Sequence, residues 1–148
     1  MAMASGLYVP TFRDALDTSN IVVDMLVNTN KVILVTNAET PNFELHDLYA
    51  DITGEVAAGG GYTQNSKTVG GTPTWAYAAI AGIALKYSWS AAVEWTSSTI
   101  TARGMIITSG LATDYLIVAV TFGSDYASTN GTFSITAHAN GIFYFDMA

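Results

Sequence analysis

The chain has 148 residues, of which only 11% are charged, with no cysteine and a formal net charge of −7 from 12 acidic and 5 basic side chains. That length fits a single domain able to bury roughly 70% of its unfolded surface. The composition excludes disulfides, thiolate chemistry and Cys-ligated metals, nucleic-acid binding through clustered Lys and Arg, docking on anionic lipid and intrinsic disorder.

Residues 1–10 (MAMASGLYVP) carry neither the basic start nor the apolar run of a secretory signal. Residues 10–17 (PTFRDALD) predict one or two helical turns, started by Pro10 and Thr11, with Phe12 and Leu16 on one face at i, i+4. Residues 21–27 (IVVDMLV) and 31–36 (KVILVT) are rich in β-branched residues and flank Asn28-Thr29-Asn30, so they predict a hairpin or two adjacent strands. In the second run Val32 and Leu34 lie on one face and Ile33 and Val35 on the other. A central strand covered on both sides explains that pattern.

Thr40-Pro41-Asn42 stops the strand, because Pro41 has no N–H for a ladder and Asn42 can cap a helix after it. In residues 43–52 (FELHDLYADI), Leu45, Leu48, Tyr49 and Ile52 recur at helical spacing and predict a helix. Gly59-Gly60-Gly61, residues 62–69 and Gly70-Gly71-Thr72-Pro73 then read as a glycine-flanked strand or ordered loop. Residues 75–85 (WAYAAIAGIAL) are too short to span a bilayer and predict a buried strand or core segment, with a short helix as rival.

The second half reads as strands. Residues 83–87 and 93–95 are short candidates. Residues 100–108 (ITARGMIIT) form a longer one, in which Gly104 marks a bulge or a close backbone approach. Residues 116–122 (LIVAVTF) and the alternation around Phe133 and Ile135 add two more. Asn140-Gly141 before residues 142–145 predicts a type I′ turn and hence a C-terminal hairpin. The whole predicts a mainly β domain over residues 1–148, an antiparallel sandwich or barrel with one or two short helices.

Four constellations bear on chemistry. Glu44, Asp47 and Asp51 would share a helical face with His46 nearby, which reads either as a carboxylate/His site or as the solvated face of an amphipathic helix. The solvated face is preferred, since no second ligand cluster accompanies it. His46 and His138 are the two histidines, but no G-x-S-x-G elbow accompanies them. The glycine runs lack the Walker and G-x-G-x-x-G patterns. Arg103 reads as an ion pair with one of the acids rather than an anion clamp. Trp75, Trp89 and Trp95, with the eight tyrosines, read as core and interface anchors before a sugar-stacking platform. No cofactor, metal or catalytic residue is expected.

Three stretches carry a resemblance: residues 31–52 (KVILVT, TPN, HDLYADI), 55–63 (EVAAGGGYT) and 93–145 (VEWTSSTITARG, VTFGSD, NGTFSI, ANGI). In this order they resemble a family of small structural proteins from the virions of tailed bacteriophages. The Ala-rich text between residues 68 and 92 departs from the family pattern, so no role carries over to it. The resemblance implies a virion component, assembled in the host cytoplasm, and not an enzyme. A capsid decoration (cement) protein on the major capsid protein shell is the first expectation, with a tail or fibre component as the alternative. It implies turn roles for Pro41, Asn42, Gly61, Asn130, Asn140 and Gly141, and core or interface roles for Trp95 and Arg103. Homo-oligomerisation is expected, with a trimer favoured by shell symmetry. The scarcity of charge then predicts that charges cluster on loops and on residues 43–52, while uncharged β surface forms the contacts.

Overall fold

A computed structural model describes residues 3–17, 23–79 and 83–146. In chain order the described elements are β1 (Gly6–Leu7), α1 (Val9–Leu16), β2 (Lys31–Val35), a 3-10 turn (Tyr49–Asp51), β3 (Pro73–Ala78), β4 (Ala84–Trp89), β5 (Val93–Ser98), β6 (Thr101–Thr108), β7 (Leu116–Ala127), β8 (Gly131–Ile135) and β9 (Phe143–Asp146). The fold is mainly β and antiparallel, a sandwich-like arrangement with one helix. A four-stranded sheet runs β1-β7-β6-β2, a three-stranded sheet runs β3-β4-β9, and β5 pairs with β8.

The four-stranded sheet is apolar on both faces, and each face has its own cover. Val32, Leu34, Met105 and Ile107 pack with Tyr87, Trp89, Trp95, Phe133 and Ile135 from the other two sheets. Ile33, Val35, Ile106, Leu116 and Ala119 pack on the opposite side with Met3 and Tyr8, flanked by Phe43, Tyr49 and Ile52. The doubly apolar text of β2 thus has the cause expected for it. β2 nevertheless ends the sheet and pairs with β6 alone, not with residues 21–27. Its outer edge is closed by irregular chain: the N–H of Val32 donates to Lys67 O (2.7 Å), that of Val56 to Leu34 O (2.9 Å) and that of Thr36 to Gly54 O (2.8 Å). Residues 23–27 are irregular with a turn at 25–26 instead of the expected strand, and 21–22 lie outside the described residues.

The helix expected over residues 43–52 is not formed. Asn42 opens a single turn as an N-cap does, and Asp51 then captures backbone donors that a continued helix would need. Asn42 Oδ1 accepts from the N–H groups of Glu44 (3.1 Å) and Leu45 (3.2 Å), and Asp51 Oδ2 accepts from those of Asp47 (3.1 Å) and Leu48 (3.0 Å). The backbone is also bound to the start of β7, with Leu116 N–H donating to Asp47 O (2.7 Å) and Tyr49 N–H to Asp114 O (2.8 Å). Leu45 is left 74% exposed. The apolar spacing there reflects an irregular cover over the second sheet face.

Elsewhere the correspondence is closer. Helix α1 starts at Val9, one residue before the predicted start, with Pro10 in its first turn; Phe12 meets Phe145 edge-on at 6.1 Å, although Leu16 projects clear of the core. Gly104 lies beside a register shift between β6 and β7. A Cβ there would stand 2.6 Å from Val120 O, so the predicted close approach is real. Residues 75–85 are not one buried segment. They span the facing ends of β3 and β4, which pair Tyr77↔Leu85 and Ala78↔Ala84; residues 80–82 lie outside the described residues.

Asn140-Gly141 makes a turn, with Gly141 N–H donating to His138 O at 2.8 Å. Gly141 has φ 87°, but Asn140 does not share the positive φ that type I′ requires. The turn joins strands of different sheets, since β8 pairs with β5 and β9 with β4, so the expected C-terminal hairpin does not form.

Candidate functional site

The eight positions singled out in the sequence are dispersed. Asn42 opens the turn over residues 43–45 that stands where the helix was expected, Pro41 precedes it, and Gly61 lies in the tight turn closed by Gly59 and Tyr62. Asn130 takes φ 48° between β7 and β8. Trp95 is buried between Tyr62 and Phe133, with Lys67 Nζ 5.8 Å from its ring centre. Arg103 Nε pairs with Asp125 Oδ1 at 2.7 Å, and its Nη1 donates to Gly123 O at 2.9 Å. Asn140 and Gly141 form the β8–β9 turn.

Glu44, Asp47 and Asp51 do not share a helical face, because the helix is absent. Among the described residues no three His, Cys, Asp or Glu side chains are grouped to hold a metal ion. Both histidines are engaged locally: His46 Nδ1 accepts from Asn42 N–H (3.4 Å) and His138 Nδ1 from Asn140 N–H (3.1 Å). The Asp51 carboxyl is held below its ordinary range by the backbone N–H of Leu48, an effect of hydrogen bonding to the charged form.

Sequence reasoning missed a polar network at the edge of β2. The Glu55 carboxylate accepts from the hydroxyls of Tyr49 (2.6 Å) and Tyr62 (2.9 Å) and from the N–H of Asn65 (2.9 Å). Tyr62 Oη in turn accepts the N–H of Leu34 at 3.0 Å. Asn65 Nδ2 donates to Asp114 Oδ2 (2.7 Å), which also receives Lys31 Nζ (2.9 Å). Burial, reinforced by Glu55, pushes the Tyr49 phenol up to about 12 and raises that of Tyr62 as well. Both phenols therefore stay neutral donors, the opposite of what a tyrosine base needs. The network fixes residues 54–69 against β2. Its signal was Glu55 in largely uncharged text, close to an aromatic and an amide.

A second carboxylate overturns the expectation that charge is confined to solvent-facing loops. Glu39 is 1% exposed, with Oε2 accepting from Thr53 N–H (3.0 Å) and Gly54 N–H (2.6 Å).

Two surfaces remain without a described cover. One is the end of the β3-β4-β9 sheet. By strand alternation and register, Trp75, Tyr77, Leu85, Tyr87, Phe143 and Phe145 share one face. Tyr87 is fully buried in the core, whereas Tyr77 is 71% and Leu85 39% exposed. The face thus runs out of the core as an aromatic apron, with Trp75 stacked on Phe145 at 5.9 Å and edge-on to Phe143 at 5.6 Å. The other is an open cleft of about 380 Å³ where β8 and β9 splay apart, floored by Met105, Val120 and Phe122 and walled by β8 and Ile142. The apron offers apolar contact, while the cleft's lining also includes the polar side chains of Tyr126, Ser134, Thr136 and His138. Comparison with protein-family models, curated proteins and solved structures returns no match.

Proposed function

We propose that the chain is a structural component of a bacteriophage particle: a capsid decoration (cement) protein that binds and stabilises the major capsid protein shell as a homo-oligomer, with a trimer favoured. The observation that carries the reading is the uncharged aromatic apron of β3-β4-β9, apolar surface of the kind that subunit contacts cover. The ordered virion-like motifs in the sequence supply the kind of particle. The surface area is compatible with such a life. The chain exposes 7566 Å², and two subunit neighbours plus one shell contact, at about 800 Å² each, would cover roughly a third of it. The net charge of −7 suits a basic docking surface and helps keep free subunits in solution.

The test is co-sedimentation of the purified protein with shells of the phage that encodes it, prepared without this protein. Saturable binding, and shells that resist higher temperature once loaded, are expected. A protein that never co-sediments with shells would end the reading. The alternative, a tail or fibre component binding surface glycans, draws on the open cleft beside β8, with His138 at its rim. Labelling confined to the tail, together with glycan-array binding, would favour it.

A further inference from the structure

Sheet edges are where a β protein meets other chains, and this molecule treats its edges unequally. The outer edge of β2 is closed by residues 54–69. Strand β1 is two residues long. Strand β5 carries Glu94 and an irregularity between Trp95 and Ser98, where Ser97 takes φ 50°. Strand β9 carries Asp146 and is flanked by Phe12 of α1.

Strand β8 is uncharged too and pairs with β5 alone, but it lacks an aromatic apron beside its edge; strand β3 has the apron and no such guard. Its six residues, PTWAYA, include no charge, its proline stands at the first position, and its pairing with β4 runs from Pro73 to Ala78 without a register shift. Among the described residues it pairs on one side only. Alternate N–H and C=O groups of its outer edge therefore face outward, beside the aromatic apron.

We propose that this edge and apron, centred on Trp75, Tyr77 and Leu85, form the face at which copies of this chain meet. The inference rests on the homo-oligomer part of the reading above and not on its virion part. Three observations select a second copy as the occupant. The first is area. An aromatic side chain carries roughly 150–250 Å². With Tyr77 71% and Leu85 39% exposed, parts of Trp75 and Phe145 added, and Ile83, 56% exposed, just before β4, this end of the sheet offers on the order of 400 Å² of apolar surface. Since only a little over half of a typical contact is apolar, that matches a contact of about 700–800 Å² per partner.

The second is charge. The described strands facing the apron place no charged side chain on it, since Lys86 and Asp146 belong to the opposite face of the sheet. Helix α1, whose Phe12 meets Phe145, carries Arg13 and Asp14 paired with each other, so subunits of net charge −7 can approach over the strands of the apron without bringing strand carboxylates into contact. The third is the strand itself. An unguarded edge is satisfied by another strand, and copies of this chain supply one at equal abundance whenever it is synthesised.

The test is sedimentation velocity and native mass spectrometry of the wild type, of the double variant Ala76→Lys/Tyr77→Lys, and of Leu45→Lys as a control at an exposed apolar residue elsewhere. The substituted positions are exposed, so circular dichroism should match the wild type. An oligomeric wild type, an oligomeric Leu45→Lys and a monomeric double variant are expected. A double variant with the wild-type mass would overturn this face while leaving the oligomer intact. A wild type monomeric at about 100 μM, weaker than any standard-size contact should be, would overturn both this inference and the homo-oligomer reading; shell binding is scored separately. Hydrogen exchange of the wild type reads the same contact without substitution. Amides of residues 74–78 should slow as protein concentration rises, and exchange independent of concentration in an oligomeric protein would count against the proposal.

Discussion

Tyr62 joins the core to the edge of β2 and to the Glu55 network. Its ring lies in the core beside Trp95, and its hydroxyl is shared between a buried backbone donor of β2 and the Glu55 carboxylate. Replacing it by Phe conserves the ring but leaves Leu34 N–H buried without its partner. The expected cost is about 1–3 kcal/mol, read as a lower urea midpoint with an unchanged m-value. Asp51 makes a pH prediction. Its carboxyl titrates below the ordinary 3.8 in the folded chain, because it accepts two backbone N–H groups, that of Leu48 having the larger effect. A depressed carboxylate stabilises the fold fully above 3.8, and that contribution is lost as pH falls through the lower folded value. Wild-type stability should therefore drop on acidification in this window, and Asp51→Asn should flatten the drop. An identical acid profile for the two proteins would refute the assignment.

At the scale of elements, β6 is the least replaceable strand. It lies between β2 and β7, and Gly104 lets Val120 O and the Met3 side chain approach where a side chain would stand. Gly104→Ala should cost about 1–3 kcal/mol through overpacking, and a thermal melt would show it. An unchanged melting temperature would mean that the bulge relaxes freely. Gly104 is legible in the sequence because a lone glycine inside an apolar run has few other causes. Strands β2, β4, β6, β7 and β8 are legible for the same reason, being local patterns of burial. The segment 43–52 misleads because its apolar spacing records which side chains reach the sheet, while hydrogen bonding by Asp51 and to the start of β7 decides the backbone beyond the first turn. Asn140-Gly141 announces its turn correctly but not the hairpin expected from it. Local turn chemistry does not specify which strands pair beyond it, and here β5 and β4 claim β8 and β9. The Glu55 network is legible only in its local half, since Tyr49, Tyr62 and Asn65 lie close to Glu55 in the chain whereas Lys31 and Asp114 join it across long separations.

For the whole molecule, sparse charge separates two kinds of contact by their response to salt. Of the described ion pairs, Arg13–Asp14 and Arg103–Asp125 are on the surface and Lys31–Asp114 is partly buried. With 12 acidic side chains against 5 basic ones, the cations cannot neutralise the carboxylates. Two copies meeting through the β3 apron bring net charges of −7 together across an uncharged face. Their residual repulsion is long-ranged and is screened once the Debye length falls from roughly 14 Å near 0.05 M salt to about 4–5 Å near 0.5 M. Self-association should therefore hold constant or tighten over that range. Docking on a basic shell surface would depend on the same carboxylates as attractors and should weaken over the same range. Sedimentation of the free protein and co-sedimentation with shells, run at matched salt, measure the two separately. Self-association that dissolves as salt rises would show that charged groups hold the subunits together, and the uncharged apron would then not be their contact.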